Sequence, residues 1–566
     1  MGIPGLFSYL KTTYPGVVNT IRRNTNVQVL HNCERLYIDT NALIHPCAQT
    51  VFNYGSKKKS VDLLARFSFE ERMEKLLDLV VGTITGLVVM FPPSKSIMIS
   101  VDGSAPFAKQ TQQRQRRYVA ARDRLPEGKE GFGSPGFDSN CISPGTKFMF
   151  MLHLRLKKLS KTLSQRLTNL HQSVQVVYSS YMTPGEGEHK LLDQIRSSVW
   201  EKSYCIDDKY CIIGPDGDLL ILGLSLPVKH LTIARQDLSQ DADSFLWHLV
   251  DVSRLKKSLA ETWHLSTLGA PRVDLRSPLG EPRGDLRSKG GDFDQCKVQT
   301  QYLTEFTLVC SVFGNDFLPR IQMFVCLSQG LEMILKIWEE IHTQNNLTLY
   351  DPIPTLKKLF TLLATYEPSF LWMQRDEVVE DPRFLHTTLF NHSTDIEFDF
   401  VGYRNSYYKK AGITTQEQIN LVCEEYITTL IWIYRYYIFG ISEASWTWRY
   451  PRFYPPLMYD LCNVIHSYQP PEFILGKPVP PFLQLLLVLP PKSKGLLPVR
   501  YQNIMTGSEF PTSFDVDGEG KRYEHEMIVK LKLPDIQIIS CAYYQAREHD
   551  LNHWVRNEIL DEIVYT

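Results

Sequence analysis

Up to about residue 261, short apolar runs alternate with longer stretches whose apolar positions recur at helical spacing. Arg35–Asp39 (RLYID), Ser96–Asp102 (SIMISVD), Val174–Tyr178 (VQVVY) and Tyr210–Gly214 (YCIIG) each have the length of a buried strand. Phe69–Val81 and Glu188–Val199 between them read as helices. Strands apolar along their whole length and separated by helices predict an α/β fold, with a mostly parallel twisted sheet covered on both faces. Ligands of such sheets bind beyond the carboxyl ends of the strands. Asp39, Asp102, Asp216 and Asp218 fall there.

The pattern then changes. Between Leu268 and Ser288 the chain nearly repeats itself (LGAPRVDLRSP, LGEPRGDLRSK) with almost no apolar periodicity. A flexible insert over 262–295 is expected, with a basic RNA-contacting arm as the alternative. Residues 296–450 are helix-like and form a second region that carries Asp316. From 451 to 566 the chain is rich in proline and aromatics (YPRFYPPLMYDL, VPPFLQLLLVLPP) and is expected to pack on the first region.

A length of 566 residues implies two or three packed regions. The net charge of -1 means that an acidic partner must be held by local patches. The opening MGIPGLFSYL lacks the basic start of a secretory signal. The longest apolar run, Leu79–Phe91, is interrupted by Gly82, Thr83, Thr85 and Gly86, and falls short of the roughly 20 residues that span a membrane. Eleven scattered cysteines, several in apolar runs (Cys211, Cys310, Cys423), suit free thiols in a reducing compartment. No membrane association is expected. A cytoplasmic monomer is, with the nucleus left open.

Seven carboxylates stand out by context: Asp39, Asp102, Glu186 and Glu188 (TPGEGEHKLLDQI), Asp216 and Asp218 (IIGPDGDLL), and Asp316 (VFGNDFLP). Clustered carboxylates raise one another's pKa unless cations neutralise them. Hard oxygen ligands suit Mg²⁺ or Mn²⁺, and two such ions about 4 Å apart serve phosphodiester cleavage. Any one of these residues is equally well explained as a turn former or a helix cap. All seven together are not. Glu305, about three helical turns before Asp316, is a further candidate.

The densest positive charge is Lys109–Arg124 (KQTQQRQRRYVAARDR). Lys109, Gln113, Arg116 and Arg117 share one helical face and suit a terminal phosphate. The plain alternative is a solvated basic helix.

With these residues in hand, the chain resembles the XRN family of 5′→3′ exoribonucleases. The resemblance is carried by MGIPGLFSYL, YIDTNALIHPC, VDGSAPFAKQTQQRQRRY, FDSNCISPGTKFM, TPGEGEHKLLDQI, GPDGDLLILGL and FGNDFLP, with later echoes in SWTWRYPRFYPPLMYDL and PPFLQLLLVLPPKSKGLLP, as far as about Thr506. It implies a flap-nuclease-like (PIN) core and a wrapping helical region. It also implies two Mg²⁺ ions held by the seven carboxylates, and a 5′-monophosphate on single-stranded RNA gripped by Lys109, Gln113, Arg116 and Arg117. His45 would stack on a leading base, and Trp446 or Trp448 would act beside it. On the residues alone His45 is equally well read as a core histidine, and the two tryptophans are more often core than contact. Phe107, Arg320, Ala42 and Arg452-Phe453-Tyr454 depart from the family's usual residues. None of these removes a carboxylate. The absence of a long C-terminal extension suits a compact or virus-encoded member. A flap-type DNA nuclease and an inactive RNA-binding scaffold are the alternatives.

Overall fold

The computed structural model describes residues 6–22, 29–123, 137–169, 174–200, 205–237, 246–262, 303–313, 315–324, 337–338, 340, 351–374, 388–390, 396–518, 527–548 and 554–565. The insert expected over 262–295 lies outside these residues apart from Thr262, and so does the MGIPG opening.

Eight strands form one sheet. They are β1 (Val18–Arg22), β2 (Cys33–Asp39), β3 (Pro93–Ser100), β4 (Gln175–Ser179), β5 (Lys209–Ile213), β6 (His230–Gln236), β7 (Leu246–Asp251) and β8 (Ile563–Tyr565). Their order is β1-β7-β6-β5-β2-β3-β4-β8. The five central strands, β6-β5-β2-β3-β4, run parallel, and the antiparallel pairings lie at the two edges. The α/β expectation holds, and all four expected strands are present with boundaries moved by one to three residues. β3 ends at Ser100, so Asp102 sits two residues past its strand in a loop. The edge strand β1 and the interior strand β6, which pairs with β5, were not expected from the pattern. Each is only partly buried, so neither carries a continuous apolar run.

Side chains alternate across a strand, and here each face fills a separate core. Leu36 and Ile38, Ile97 and Ile99, Val176 and Tyr178, Cys211 and Ile213 point into one cluster. Tyr37, Met98, Val177, Tyr210 and Ile212 point into the other. The helices that frame the site are α1 (Leu6–Thr13), α2 (Asn41–Phe52), α3 (Phe69–Met90), α4 (Phe107–Asp123), α5 (Lys147–Asn169), α6 (Gly187–Trp200), α7 (Asp218–Leu224) and α8 (Val252–Thr262). They are followed by α9 (Ile353–Gln374), α10 (Gln416–Phe439) and α11 (Pro481–Val488). α2, α3 and α5 cover the first face, while α6 to α10 pack on the second. α3 starts at a capping box between Ser68 and Glu71 and runs past Val81 to Met90, because Ile84, Leu87 and Val88 prolong its buried stripe.

α10 docks onto the sheet region through α6. Arg196 pairs with Asp193 at 2.6 Å and donates to the Tyr437 carbonyl at 2.5 Å. Gly440, at φ +85°, ends α10 where a Cβ would lie 2.3 Å from Asp193 Oδ1. The C-terminal residues return to the first region: β8 pairs with β4, and α11 lies against α4.

The loops after β3 and β4 are laced together. Gly103 N–H donates to the Gly185 carbonyl, and Gly185 N–H to that of Ser104, both at 2.8 Å. A Cβ on Gly103 would sit 1.9 Å from the Thr183 carbonyl oxygen. Gly103→Ala should therefore destabilise the fold by about 1–3 kcal/mol and lower the thermal midpoint. An unchanged midpoint would mean that the loops part at no cost.

Candidate active site

Six of the seven carboxylates come from the loops and helix starts at the carboxyl ends of β2, β3, β4 and β5. Asp39 closes β2 and accepts from Asn41 N–H at 3.2 Å. Asn41 also donates through Nδ2 to Asp102 at 2.7 Å and accepts from the Asp102 N–H at 3.1 Å, so one amide side chain ties two strand ends together. The N-terminus of α6 meets them. Gly187 N–H donates to Asp102 Oδ1 at 2.6 Å, and a Cβ on Gly187 would lie 2.8 Å from Asp39 Oδ1. Glu186 precedes α6, Glu188 lies in its first turn, and Asp218 opens α7. Asp316 comes from the second region, just after a helical run over 303–311.

Lys109 of α4 stands among them. Its ammonium lies 2.5 Å from Glu186 and 2.8 Å from Asp316. Burial would lower its pKa, but Asp316, Glu186 and Glu188 together raise it well above the ordinary range. Asp316 is held below the usual carboxylate range because Lys109 and then Arg116, 3.7 Å away, outweigh its burial. The other carboxylates are pushed the opposite way. Burial raises Asp39 strongly, with Asp102 and Asp216 adding to it. Burial followed by Asp216 raises Glu188, and burial raises Asp218 to about 7. Glu186 also rises, because burial exceeds the pull of Lys109.

The donor chemistry fits a hard divalent cation. Glu188 Oε2 is buried with no hydrogen-bond partner, and one ammonium does not neutralise seven carboxylates. Among the described residues, however, no three His, Cys, Asp or Glu side chains converge as a ready-made metal cage. Lys109 draws Glu186 and Asp316 towards itself, and Asn41 with the α6 N-terminus holds Asp102. Glu305 is not part of this cluster. It is buried beside Thr355 of α9, at 3.4 Å, because the turn after residue 311 separates its helix from Asp316.

The basic residues of α4 divide their roles. Arg116 is exposed (45%) and faces Asp316. Arg117 is half-buried and donates twice to Ser143 Oγ, at 3.0 and 2.9 Å. Gln113 is buried and accepts from Gln484 of α11 at 3.4 Å. Crowding by protein, with the charges of Arg117 and Arg116, keeps the pKa of the solvent-accessible His45 ring down near 4, so the imidazole is neutral at pH 7. Trp448 packs edge-on to Phe473 and donates its indole N–H to Thr429 at 3.1 Å. Trp446 is half-buried, and its carbonyl accepts from Phe107 N–H at the start of α4, at 2.9 Å.

Three contributors were not singled out in the sequence. Tyr436 of α10 donates to Glu186 Oε1 at 2.9 Å and stacks on His189 at 4.0 Å. Lys190 donates to the carbonyls of Val101, Ser180 and Thr183 at 2.6 to 3.1 Å, which pins the loops that carry Asp102 and Glu186. Asn41 is the third, and its position immediately beyond a strand end was the available signal.

Two regions of the chain match a known family. Residues 1–237 match the domain described as XRN 5′-3′ exonuclease N-terminus, and residues 391–563 match the Xrn1 helical domain. The chain belongs to the XRN family. A Homo sapiens protein named 5′-3′ exoribonuclease 1 is 26% identical, across 94% of this chain and 33% of its own length. The protein of that name from Saccharomyces cerevisiae is 25% identical, across 100% and 44%. An Arabidopsis thaliana 5′-3′ exoribonuclease 2 is 24% identical, across 100% and 69%. The chain thus spans about a third to a half of the length of the exoribonucleases 1 it matches. Two departures from the usual XRN residues have visible roles. Phe107 is buried with α11, and Arg452 pairs with Glu425 at 2.7 Å.

The pKa shifts set a pH dependence. A carboxyl whose folded pKa is raised stabilises the fold fully below its unfolded pKa and loses that contribution as pH rises through the folded value. For Asp218 the window runs from 3.8 to about 7, and Asp39, Glu186 and Glu188 act in the same direction. Asp316, lowered, has the opposite sign, which is felt only below its ordinary value. In EDTA the thermal midpoint should fall from pH 5 to pH 8, and Asp218→Asn should flatten the decline. A midpoint that rises over this range would contradict the assigned shifts.

Proposed function

We propose that this chain is a divalent-metal-dependent 5′→3′ exoribonuclease that processively removes nucleoside 5′-monophosphates from single-stranded RNA bearing a 5′-monophosphate. The observation that carries this reading is the juxtaposition of seven carboxylates with one basic helix, bridged by Lys109. The names of the relatives support the direction and the substrate class. Free thiols at all nine described cysteines support work in a reducing compartment, cytoplasm or nucleus. Among the described residues no helix is long and apolar enough to cross a membrane.

In this reading Asp39, Asp102, Glu186, Glu188, Asp216, Asp218 and Asp316 hold two Mg²⁺ or Mn²⁺ ions. Such ions supply activation of water at neutral pH and neutralisation of the leaving 3′-oxygen. Arg116 and Arg117, with Gln113, hold the terminal phosphate. Lys109, on the same helix, would contribute its ammonium to that phosphate. The neutral ring of His45 stacks on the leading base, and Trp446 is the better placed of the two tryptophans to line the strand's path, since Trp448 is occupied in packing. A capped or triphosphate end would bring bulk and charge that two guanidiniums cannot match.

The test is one RNA labelled at its 3′ end and prepared with 5′-monophosphate, 5′-hydroxyl or 5′-triphosphate. Only the monophosphate form should disappear, only with metal, and without stable intermediates. Asp216→Asn should slow this by at least about a hundredfold. Equal loss of all three RNAs would remove the phosphate pocket from the account, and no loss would leave a binding protein.

Tyr436→Phe deletes the hydroxyl that orients Glu186 while keeping the ring stacked on His189. It should weaken apparent Mg²⁺ affinity by about tenfold at little cost to stability. An unchanged Mg²⁺ titration would make Tyr436 a packing residue only.

A further inference from the structure

A cavity of about 470 Å³ opens beside the carboxylates and is not used by the reading above. One wall is α2, through Leu43 and Pro46, and another is the loop after α2, through Leu63. Pro215, which immediately precedes Asp216, is also on the lining. Helical spacing puts Leu43 and Pro46 on a different flank of α2 from His45, so the helix separates this cavity from Arg116 and Arg117.

The loop that forms the outer wall is held in shape. Asn53, at φ 52°, donates to the Lys59 carbonyl at 3.1 Å and accepts from the Lys59 N–H at 2.7 Å, and Ser56 donates to Gln49 at 2.8 Å. This arrangement sets Lys57 and Lys59 on the lining. Neither has an acidic partner among the described residues. The single acidic side chain of the lining, Asp62, is taken by Arg72 at 2.8 Å. The cavity therefore combines apolar walls with two uncompensated ammonium groups. Its volume falls within the range of roughly 300–1,000 Å³ typical of small-molecule sites.

We propose that this cavity binds a nucleoside 5′-monophosphate, with the base against Leu43, Pro46, Leu63 and Pro215 and the phosphate at Lys57 and Lys59. An apolar slot accepts any base by its faces, and paired ammonium groups take a phosphate dianion. The choice of a mononucleotide rests on the exonuclease reading, in which this molecule is the product, released beyond Pro215. The site then receives the product away from the phosphate grip of the next nucleotide.

Binding is measured without catalysis, by equilibrium dialysis of labelled AMP against the full chain in EDTA, with adenosine and inorganic phosphate as competitors. Lys57→Ala/Lys59→Ala should weaken AMP binding by about tenfold or more. Thr50→Trp, which fills the cavity from an exposed helical position, should do the same. AMP uptake that is lost in Arg116→Ala but intact in the lysine variant would overturn the proposal, as would no uptake at all. Inorganic phosphate competing as well as AMP would reduce the site to an anion site and overturn the nucleotide. RNA digestion is followed in parallel, and the lysine variant should keep the wild-type initial rate. AMP binding at the lysines in a chain that digests no RNA would sink the exonuclease reading and leave the pocket, and digestion without AMP binding would do the reverse.

Discussion

Seven carboxylates brought to one end of a sheet repel one another, and burial increases the cost because protein screens charge less than water does. Lys109 meets part of that demand with ion pairs to Glu186 and Asp316. The remainder is visible as raised pKa values at Asp39, Glu186, Glu188 and Asp218. Much of the surrounding architecture keeps these groups together against their repulsion. Asn41 ties two strand ends, the α6 N-terminus offers an N–H to Asp102, and Lys190 pins the loops behind them. A region built to tolerate such charge is most stable when the charge is neutralised, either by protons or by cations.

The same constraint explains why the second region cannot be separated from the site. Asp316 and Tyr436 both belong to it, and each is bonded to a group from the first region. The Asp193–Arg196–Tyr437 clamp and the close fit at Gly440 fix α10 against α6, and that contact sets the position of the Tyr436 hydroxyl. A shift of α10 by even one ångström would break a bond to a carboxylate that already lacks full compensation.

The basic helix shows how one element can serve fold and site together. Arg114, in the middle of the charged run, is fully buried and donates to the carbonyls of Leu487 and Glu509 at 2.8 and 2.7 Å. It anchors the C-terminal residues, while Arg116, two positions on, stays exposed beside Asp316. Neither a solvated face nor a pure phosphate grip describes α4. Its faces differ because α11 covers one and the carboxylates face another.

Periodicity alone was enough for the α/β class and the four central strands, because a sheet buried on both faces needs strands apolar at every position. The turn and helix-start contexts of the acidic residues were likewise local, so Asp39, Asp102, Glu186, Glu188, Asp216, Asp218 and Asp316 could be named from the chain. The edge strand β1 and the strand β6 beside β5 could not, since partial burial imposes no apolar run. Nor could the separation of Glu305 from Asp316, because spacing along a helix says nothing once a turn intervenes. The bond from Trp448 to Thr429, the burial of Arg114 and the bond from Tyr436 to Glu186 were decided by packing between segments up to hundreds of residues apart. Local sequence sets what a residue can do within its own turn or strand. Which opposite charge, hydroxyl or carbonyl it meets depends on the tertiary fold, because those partners lie far away in sequence.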